Sequence, residues 1–145
     1  MCGINGFFST SSKDKADSAI RSMNNAIQHR GPDANNVWHD NQSNLFLGHC
    51  RLAIQDISSA GSQPMLSESE RYVIVFNGEI YNHLDLRKEL SKQNLNPNWR
   101  GHSDTETLLT CFSTWGVKTT LKKLVGMFAI ALWDRKQQIL TLARD

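Results

Sequence analysis

The chain has 145 residues, of which 39% are hydrophobic and 21% are charged, values typical of one globular domain with a buried core. The 16 basic and 14 acidic residues leave a formal net charge of +2, which is too small to indicate a nucleic acid as partner. The longest apolar run, residues 124–133, is about half of what a bilayer crossing requires. We therefore expect neither a nucleic-acid partner nor a membrane partner.

The cysteines and histidines exclude two further classes. Three cysteines, an odd number without a CxxC pair, do not form a disulfide framework or a zinc knuckle. The five histidines show no metal-ligand spacing, so we predict no metal site. A reducing, cytoplasmic setting fits this cysteine usage and the lack of a visible signal peptide.

The first half of the chain alternates strand patterns with one helix pattern. Residues 4–9 are apolar and aromatic enough for a strand, and residues 15–31 carry apolar side chains at helical spacing. Gly31 and Pro32 end that helix. Three further strands are predicted over residues 35–40, 44–54 and 71–77.

The second half predicts two helices and a hairpin. One helix covers residues 83–93 and is followed by a polar loop that reaches Pro97. Another starts at Ser103, which forms a capping-box pattern with Glu106. The last prediction is a hairpin with strands over residues 126–134 and 137–145.

This order of elements predicts an α+β fold in which antiparallel sheets pack under helices. No internal repeat or interdomain linker is visible, so residues 1–145 form one domain. The strand pattern continues to the last residue without a cap or tail. We therefore expect the domain to be truncated at its C-terminus.

Cys2 is the first candidate for chemistry. At a chain end, a cysteine can be a frayed or buried small residue. If Met1 is removed, however, Cys2 carries a thiol and a free α-amine, whose pKa of about 7.7–8.0 suits a general base. Gly3 adds no Cβ in the way of a substrate. Position alone leaves both interpretations open.

The Asn77-Gly78 pair also has two interpretations. Asn-Gly after an apolar run is a strong hairpin-turn signal. The residues that follow, however, are typical of a helix and do not mirror the first strand, which favours a special turn. In such a turn the Asn77 amide and the Gly78 N–H could form an oxyanion hole.

Arg51 and Asp104 are candidates for binding charged groups. Arg51 lies between apolar residues of a predicted strand, where it either faces solvent or binds an anion such as a carboxylate. Asp104 follows the helix N-cap Ser103, where a carboxylate favours the helix dipole; it could equally bind a substrate ammonium group. Local sequence does not separate these options.

Eight segments resemble one family in identity and in order, and they extend over the whole chain. They are MCGINGFF, HRGPD, GHCRLAIQDIS, QPM, VFNGEIYNHLDLRKEL, SDTETLL, GMFAIALWD and LARD. They resemble the glutaminase domain of class II glutamine amidotransferases, which are N-terminal-nucleophile hydrolases. The segments RLAIQDIS and NGEIYN are most similar to the asparagine synthetase branch.

The resemblance implies a role for each matching residue. Cys2 corresponds to the nucleophile, with its own α-amine as base once Met1 is removed. Asn77 and Gly78 correspond to the oxyanion hole. The residues that correspond to the glutamine-binding set are Arg51, for the α-carboxylate, and Asp104 with Glu79 nearby, for the α-ammonium.

The resemblance also implies a fold, a reaction and partners. The family fold is a four-layer αββα sandwich of two antiparallel sheets. The implied reaction converts L-glutamine into glutamate and ammonia for an amide-forming synthetase, with no cofactor in this domain. The synthetase domain, which would use ATP and Mg²⁺, is missing from these residues, and a homodimer is compatible with the sequence.

Two alternatives to this function remain open on the sequence. A papain-like cysteine hydrolase would use His49 or His102 as its base, and it would tolerate a retained Met1. A catalytically silent interaction domain would fit a truncated chain that keeps Met1.

Overall fold

The structure is a computed structural model that describes residues 1–93 and 97–145. It contains four α-helices and seven β-strands within these residues. The helices are α1 (Lys13–Ala26), α2 (His83–Lys92), α3 (Asp104–Trp115) and α4 (Val117–Leu121). The strands are β1 (Gly3–Phe8), β2 (Ala34–Asp40), β3 (Leu45–Arg51), β4 (Met65–Leu66), β5 (Tyr72–Ile80), β6 (Gly126–Asp134) and β7 (Ile139–Arg144).

The strands form two antiparallel sheets. One sheet has three strands in the order β1-β3-β2, and the other has four in the order β4-β5-β6-β7. The central pair of the larger sheet, β5 and β6, stays in register from Tyr72 opposite Asp134 to Ile80 opposite Gly126. The predicted hairpin is confirmed as β6 and β7.

Three clusters of buried side chains order the layers. Leu47 and Val75 belong to a cluster shared by β3, β5 and β6, which fills the space between the two sheets. Phe46 packs with Ile20 of α1 on the outer face of the smaller sheet. The largest cluster joins the outer face of β5 and β6 to α2 and α3. The layers therefore follow the order helix, sheet, sheet, helix, which confirms the expected α+β sandwich.

The strand and helix periods explain which residues form which layer. Along a strand, alternate side chains point to opposite faces, so Val73 and Val75 face the other sheet while Ile74 and Phe76 face the helices. Because both faces of β5 are covered, the strand is continuously apolar from Tyr72 to Phe76.

The Asn77-Gly78 pair is not a turn, and this part of the prediction was wrong. Both residues lie inside β5, which continues to Ile80 and pairs with β6 along its whole length. The turn preference of Asn-Gly is a local effect, and the long ladder with β6 overrides it. The strand therefore ends three residues later than predicted.

Two predicted elements end earlier than expected. The first helix stops at Ala26 and continues as a 3₁₀ turn, Gln28–Arg30, in which the Arg30 N–H donates to the Ile27 carbonyl oxygen over 3.0 Å. Strand β3 stops at Arg51 because side chains bind the next two backbone N–H groups. Cys2 Sγ accepts from Leu52, and an Asp33 carboxylate oxygen accepts from Ala53.

Helix α3 begins as predicted, with half of the capping box. The Ser103 hydroxyl accepts from the Glu106 N–H over 3.3 Å. The Glu106 carboxylate accepts instead from the N–H groups of Arg100 and Gly101. The helix ends at Trp115. The next residue, Gly116, has a φ of 78°, which glycine adopts without the strain that a side chain would cause. The predicted loop over residues 94–96 lies outside the described residues.

Truncating the packing between the sheets should cost stability. Leu47 is 1% exposed, so Leu47→Ala is expected to lower the free energy of unfolding by about 2–5 kcal/mol. Leu142 of β7 is 72% exposed, so the control Leu142→Ala should change it by less than about 0.5 kcal/mol. Urea unfolding measures both, and equal effects of the two variants would contradict the packing described.

Candidate active site

The space between the sheets changes from apolar to polar at one end of the sandwich. Successive inward-facing positions of β5 are Val73, Val75, Asn77 and Glu79, because alternate residues share a face. On β3 the inward face passes through Leu47 and His49 to Arg51 in the same way. One end of a hydrophobic layer is therefore lined by charged and amide side chains.

A cleft opens at this polar end. All six site residues predicted from the sequence line it: Cys2, Arg51, Asn77, Gly78, Glu79 and Asp104. They come from β3, β5, α3 and the residue just before β1, so strand parity and sheet packing bring together residues that are far apart in sequence. Met1 also lines the cleft beside Cys2.

Cys2 is half-buried just before β1 and contacts the segment that follows β3. Its Sγ accepts a hydrogen bond from the Leu52 N–H over 3.3 Å, a contact that would also stabilise a thiolate. The Cys2 carbonyl oxygen accepts from Arg30 Nε over 3.1 Å. The thiol and the carbonyl group of Cys2 are thus each fixed by a hydrogen bond.

Asn77 and Gly78 lie on β5 at the floor of the cleft. Asn77 Oδ1 is buried and has no hydrogen-bond partner among the described residues. A Cβ on Gly78 would collide with the Met127 carbonyl oxygen of β6, so only glycine fits without a shift. The two residues form a close-packed strand segment with an amide side chain directed between the sheets.

Arg51 is buried and so does not face solvent, but its partners within the protein are not anions. Its guanidinium donates to the carbonyl oxygens of Asp56 and Ser58, the latter over 2.9 Å. These two acceptors are neutral carbonyl groups, so they do not neutralise the positive charge of the guanidinium at the cleft. A Cβ on Gly61 would collide with Arg51 Nη2. The loop after β3 therefore orients the guanidinium.

Asp56 ties that loop to the segment before α3. One of its carboxylate oxygens accepts from the Ser58 hydroxyl, and the other accepts from the His102 N–H over 2.9 Å. The bond from the Ser58 hydroxyl is the main cause that lowers the pKa of the Asp56 carboxyl. Asp56 therefore stays ionised at neutral pH and links the loop that holds Arg51 to the loop that leads to Asp104.

Asp104 is the first residue of α3 and is only 5% exposed. Burial raises the pKa of its carboxyl, while a hydrogen bond from the Ile80 N–H over 2.9 Å acts in the opposite direction. Glu79 is exposed at the rim, where its carboxylate accepts from Gln55 Nε2 over 3.2 Å. The cleft is thus lined by both a buried acid and a buried arginine.

Comparison with known proteins identifies the domain. The profile of the family described as "Glutamine amidotransferase domain" matches residues 1–145. The chain belongs to the glutamine amidotransferase domain family. The two antiparallel sheets and the cleft between them are the architecture of this amidotransferase domain.

Curated relatives include synthetases and amidases. The chain is 38% identical over 148 residues to asparagine synthetase [glutamine-hydrolyzing] 1 of Bacillus subtilis, covering 100% of this chain and 22% of that protein. It is 37% identical over 161 residues to a putative asparagine synthetase [glutamine-hydrolyzing] 2 of Methanocaldococcus jannaschii, covering 100% and 30%. Amidase chry2 of Gibberella zeae is 32% identical over 155 residues, with 100% and 22% covered. The amidotransferase domain thus spans less than a third of the length of these relatives.

Neither histidine that a papain-like mechanism would use lines the cleft. His49 is fully buried, with Nε2 3.2 Å from the Phe76 carbonyl oxygen, and burial lowers its pKa to about 4. His102 is exposed. The geometry therefore offers no histidine base beside Cys2 among the residues lining the cleft.

Several residues that build the cleft were not identified from the sequence. Gln63 and Thr105 line it and bond to each other, with Gln63 Nε2 donating to Thr105 Oγ1 over 3.3 Å. In the HRGPD segment, interpreted as a helix stop and turn, Arg30 binds the Cys2 carbonyl and Asp33 binds the Ala53 N–H. Only the tertiary contacts give these residues their positions, and no local spacing signals them.

No group of three or more His, Cys, Asp or Glu side chains arranged to hold a metal ion is found in residues 1–93 and 97–145. Over the same residues, no helix is both long enough and apolar enough to cross a membrane.

The burial of His49 predicts a pH dependence of stability. Its folded pKa of about 4 lies below the unfolded value of 6.5, so the stability it contributes is complete above pH 6.5 and is lost as the pH falls toward 4. The loss should approach roughly 3 kcal/mol. We expect His49→Gln to flatten the unfolding free energy between pH 6.5 and 5, whereas His102→Gln should not. Urea titrations at several pH values test this, and an unchanged slope in His49→Gln would contradict it.

Proposed function

We propose that this domain hydrolyses L-glutamine to glutamate and ammonia, with Cys2 as the nucleophile. The observation that carries the proposal is the convergence of Cys2, Arg51, Asn77, Gly78 and Asp104 on one cleft. A thiol, an amide donor pair, a buried cation and a buried anion are the groups needed to bind a free amino acid and attack its side chain.

Removal of Met1 prepares the nucleophile. The α-amine of Cys2 then accepts the thiol proton, and the thiolate keeps the hydrogen bond from the Leu52 N–H. The same step takes one residue out of the cleft wall, because Met1 lines the cleft. With Met1 in place, the Cys2 nitrogen is part of an amide and cannot act as a base.

The reaction follows as two linked displacements. The Cys2 sulfur bonds to the side-chain carboxamide carbon, and the negative charge that develops on the carbonyl oxygen is stabilised by Asn77 Nδ2 and the Gly78 N–H. The C–N bond then breaks, and the terminal ammonium supplies a proton so that ammonia leaves. Water, deprotonated by the amine, hydrolyses the remaining thioester to glutamate and restores the thiol.

Two charged walls account for the choice of a free amino acid. Arg51 would bind the α-carboxylate in a forked contact, since its carbonyl partners already fix the guanidinium plane. Asp104 would bind the α-ammonium through the carboxylate oxygen that does not bind Ile80, with Glu79 adding negative charge at the rim. Glutamine within a peptide has neither an α-carboxylate nor an α-ammonium group. It would leave Arg51 and Asp104 without partners of opposite charge, and it is therefore rejected.

In the whole protein, the ammonia would feed an ATP-dependent synthetase that uses Mg²⁺ and lies outside these residues. Relatives named as glutamine-hydrolysing asparagine synthetases, over which this chain spans 22% to 30% of the length, support this assignment. The acceptor we propose is aspartate or a related carboxylate, in a cytoplasmic enzyme, and a homodimer is compatible with this assignment.

A diazoketone analogue of glutamine tests the nucleophile. We expect it to label Cys2 in protein from which Met1 has been removed, and labelling should vanish when a non-cleavable N-terminal extension converts the Cys2 amine into an amide. Mass spectrometry locates the adduct, and an ammonia assay should show the same loss. Labelling that survives the extension would support a histidine base, and no labelling of the folded, processed protein would support a catalytically silent domain.

The carboxylate role of Arg51 predicts a KM effect. Arg51→Lys keeps the charge but loses the fork, so KM for glutamine should rise about 10–100-fold with a smaller change in kcat. Arg71→Lys is the control, because Arg71 pairs with Asp134 away from the cleft over 2.6 Å. An unchanged KM in Arg51→Lys would remove the proposed role.

A further inference from the structure

Strand β5 has an edge that β4 covers only in part. The two residues of β4 pair with Val73 and Ile74, whereas β5 continues for six residues beyond that point. Along an antiparallel strand, backbone N–H groups alternate between the two neighbouring strands. Tyr81 donates to Val125 on the β6 side, whereas Ile80 donates away from it to Asp104. The N–H groups of Phe76, Gly78 and Ile80 therefore share the uncovered edge.

Two side chains bind the outer members of this set of three. The Phe76 N–H donates to Gln63 Oε1 over 2.7 Å, and the Ile80 N–H donates to Asp104 Oδ2 over 2.9 Å. The N–H of Gly78 lies between them on the same edge, at a residue that lines the cleft. The strand edge thus presents one backbone donor to the cleft between two donors that are already bound.

Gln63 also binds two other elements. Its Nε2 donates to the Thr105 hydroxyl of α3, next to Asp104, over 3.3 Å. Its backbone carbonyl accepts from Asn36 Nδ2 of β2 over 3.2 Å. With a side chain that is 5% exposed, Gln63 connects both sheets to the first turn of the helix.

We propose that Gln63 is a positioning residue for the oxyanion hole. Its amide takes the place of a further β4 residue and holds the peptide group between Val75 and Phe76, so that the Gly78 N–H, two residues further along the same edge, keeps its direction into the cleft. The second hydrogen bond of Gln63, to the Thr105 hydroxyl, fixes the Gly78 N–H relative to Asp104. The kinetic part of this inference rests on the proposed glutamine hydrolysis, whereas the structural part does not.

The test variant is Gln63→Leu, which keeps the approximate size of the side chain and removes both hydrogen bonds. We expect kcat for glutamine to fall about 10–100-fold, because a displaced donor weakens transition-state stabilisation, while KM changes less than about 3-fold. Ser67→Ala is the matched control. The Ser67 hydroxyl accepts from the Tyr72 N–H over 3.0 Å on the same edge of β5, away from the cleft, so its loss should lower stability and leave kcat unchanged.

Amide hydrogen exchange gives a readout that does not depend on activity. In Gln63→Leu the Phe76 amide should exchange at least about 10-fold faster, while the Val75 amide, which faces β6, should not change. Gln63→Glu keeps an acceptor for Phe76, and the Thr105 hydroxyl can donate to its carboxylate, so this variant should retain the protection of Phe76. If Gln63→Leu does not fold, Gln63→Asn, whose amide is too short to reach both partners, is measured in the same way.

The outcomes separate the inference from the proposed function. A kcat loss in Gln63→Leu no larger than in Ser67→Ala would overturn the inference while glutamine hydrolysis stands. If the unmodified, processed domain does not hydrolyse glutamine, the proposed function fails, and exchange alone decides the positioning role. Unchanged exchange of Phe76 in Gln63→Leu would overturn that role in either case.

Discussion

The rest of the cleft depends on the short pairing between β4 and β5. A backbone N–H that is buried without a partner is costly, so the uncovered edge of β5 must be satisfied by something other than a strand. Gln63 and Asp104 supply the acceptors. Individual side chains can bind some of the N–H groups on this edge, whereas a continuous neighbouring strand would bind all of them. One backbone donor can therefore stay directed at a ligand. A binding site at this position therefore depends on the strand pairing along this edge of β5 ending early.

The electrostatics of the cleft follow from the same packing. The Arg51 guanidinium is held by carbonyl oxygens of the loop after β3, and Asp56 fixes that loop against the segment before α3. On the opposite wall, Arg87 donates to the carbonyls of Gly101 and Ser103. Arg51 at the end of β3 and Asp104 at the start of α3 are therefore each flanked by a loop that other side chains hold in place, which suits a site that must bind two opposite charges at a fixed separation.

Much of the fold could be predicted from the sequence because its signals are local. The helical spacing before Gly31, the capping pattern at Ser103 and the apolar runs of β5 and β6 all depend on near neighbours. The Asn77-Gly78 prediction failed because a local turn signal competed with a ladder to β6, whose partner residues lie about 50 positions later in the chain. Gln63 could not be found locally, since its partners belong to other elements.

The position of β1 has a consequence for the timing of synthesis. Within residues 1–93 and 97–145, this strand pairs with β3 alone, at the edge of the smaller sheet, so its pairing is incomplete until Cys50 has been made. At about 5–20 residues per second, the N-terminus spends the first few seconds of translation as an unpaired chain. In the mechanism that we propose, an aminopeptidase that removes Met1 can therefore act before the surrounding sheet exists. Under that proposal, one irreversible cleavage can free the Cys2 amine before most of the residues that line the cleft have been synthesised.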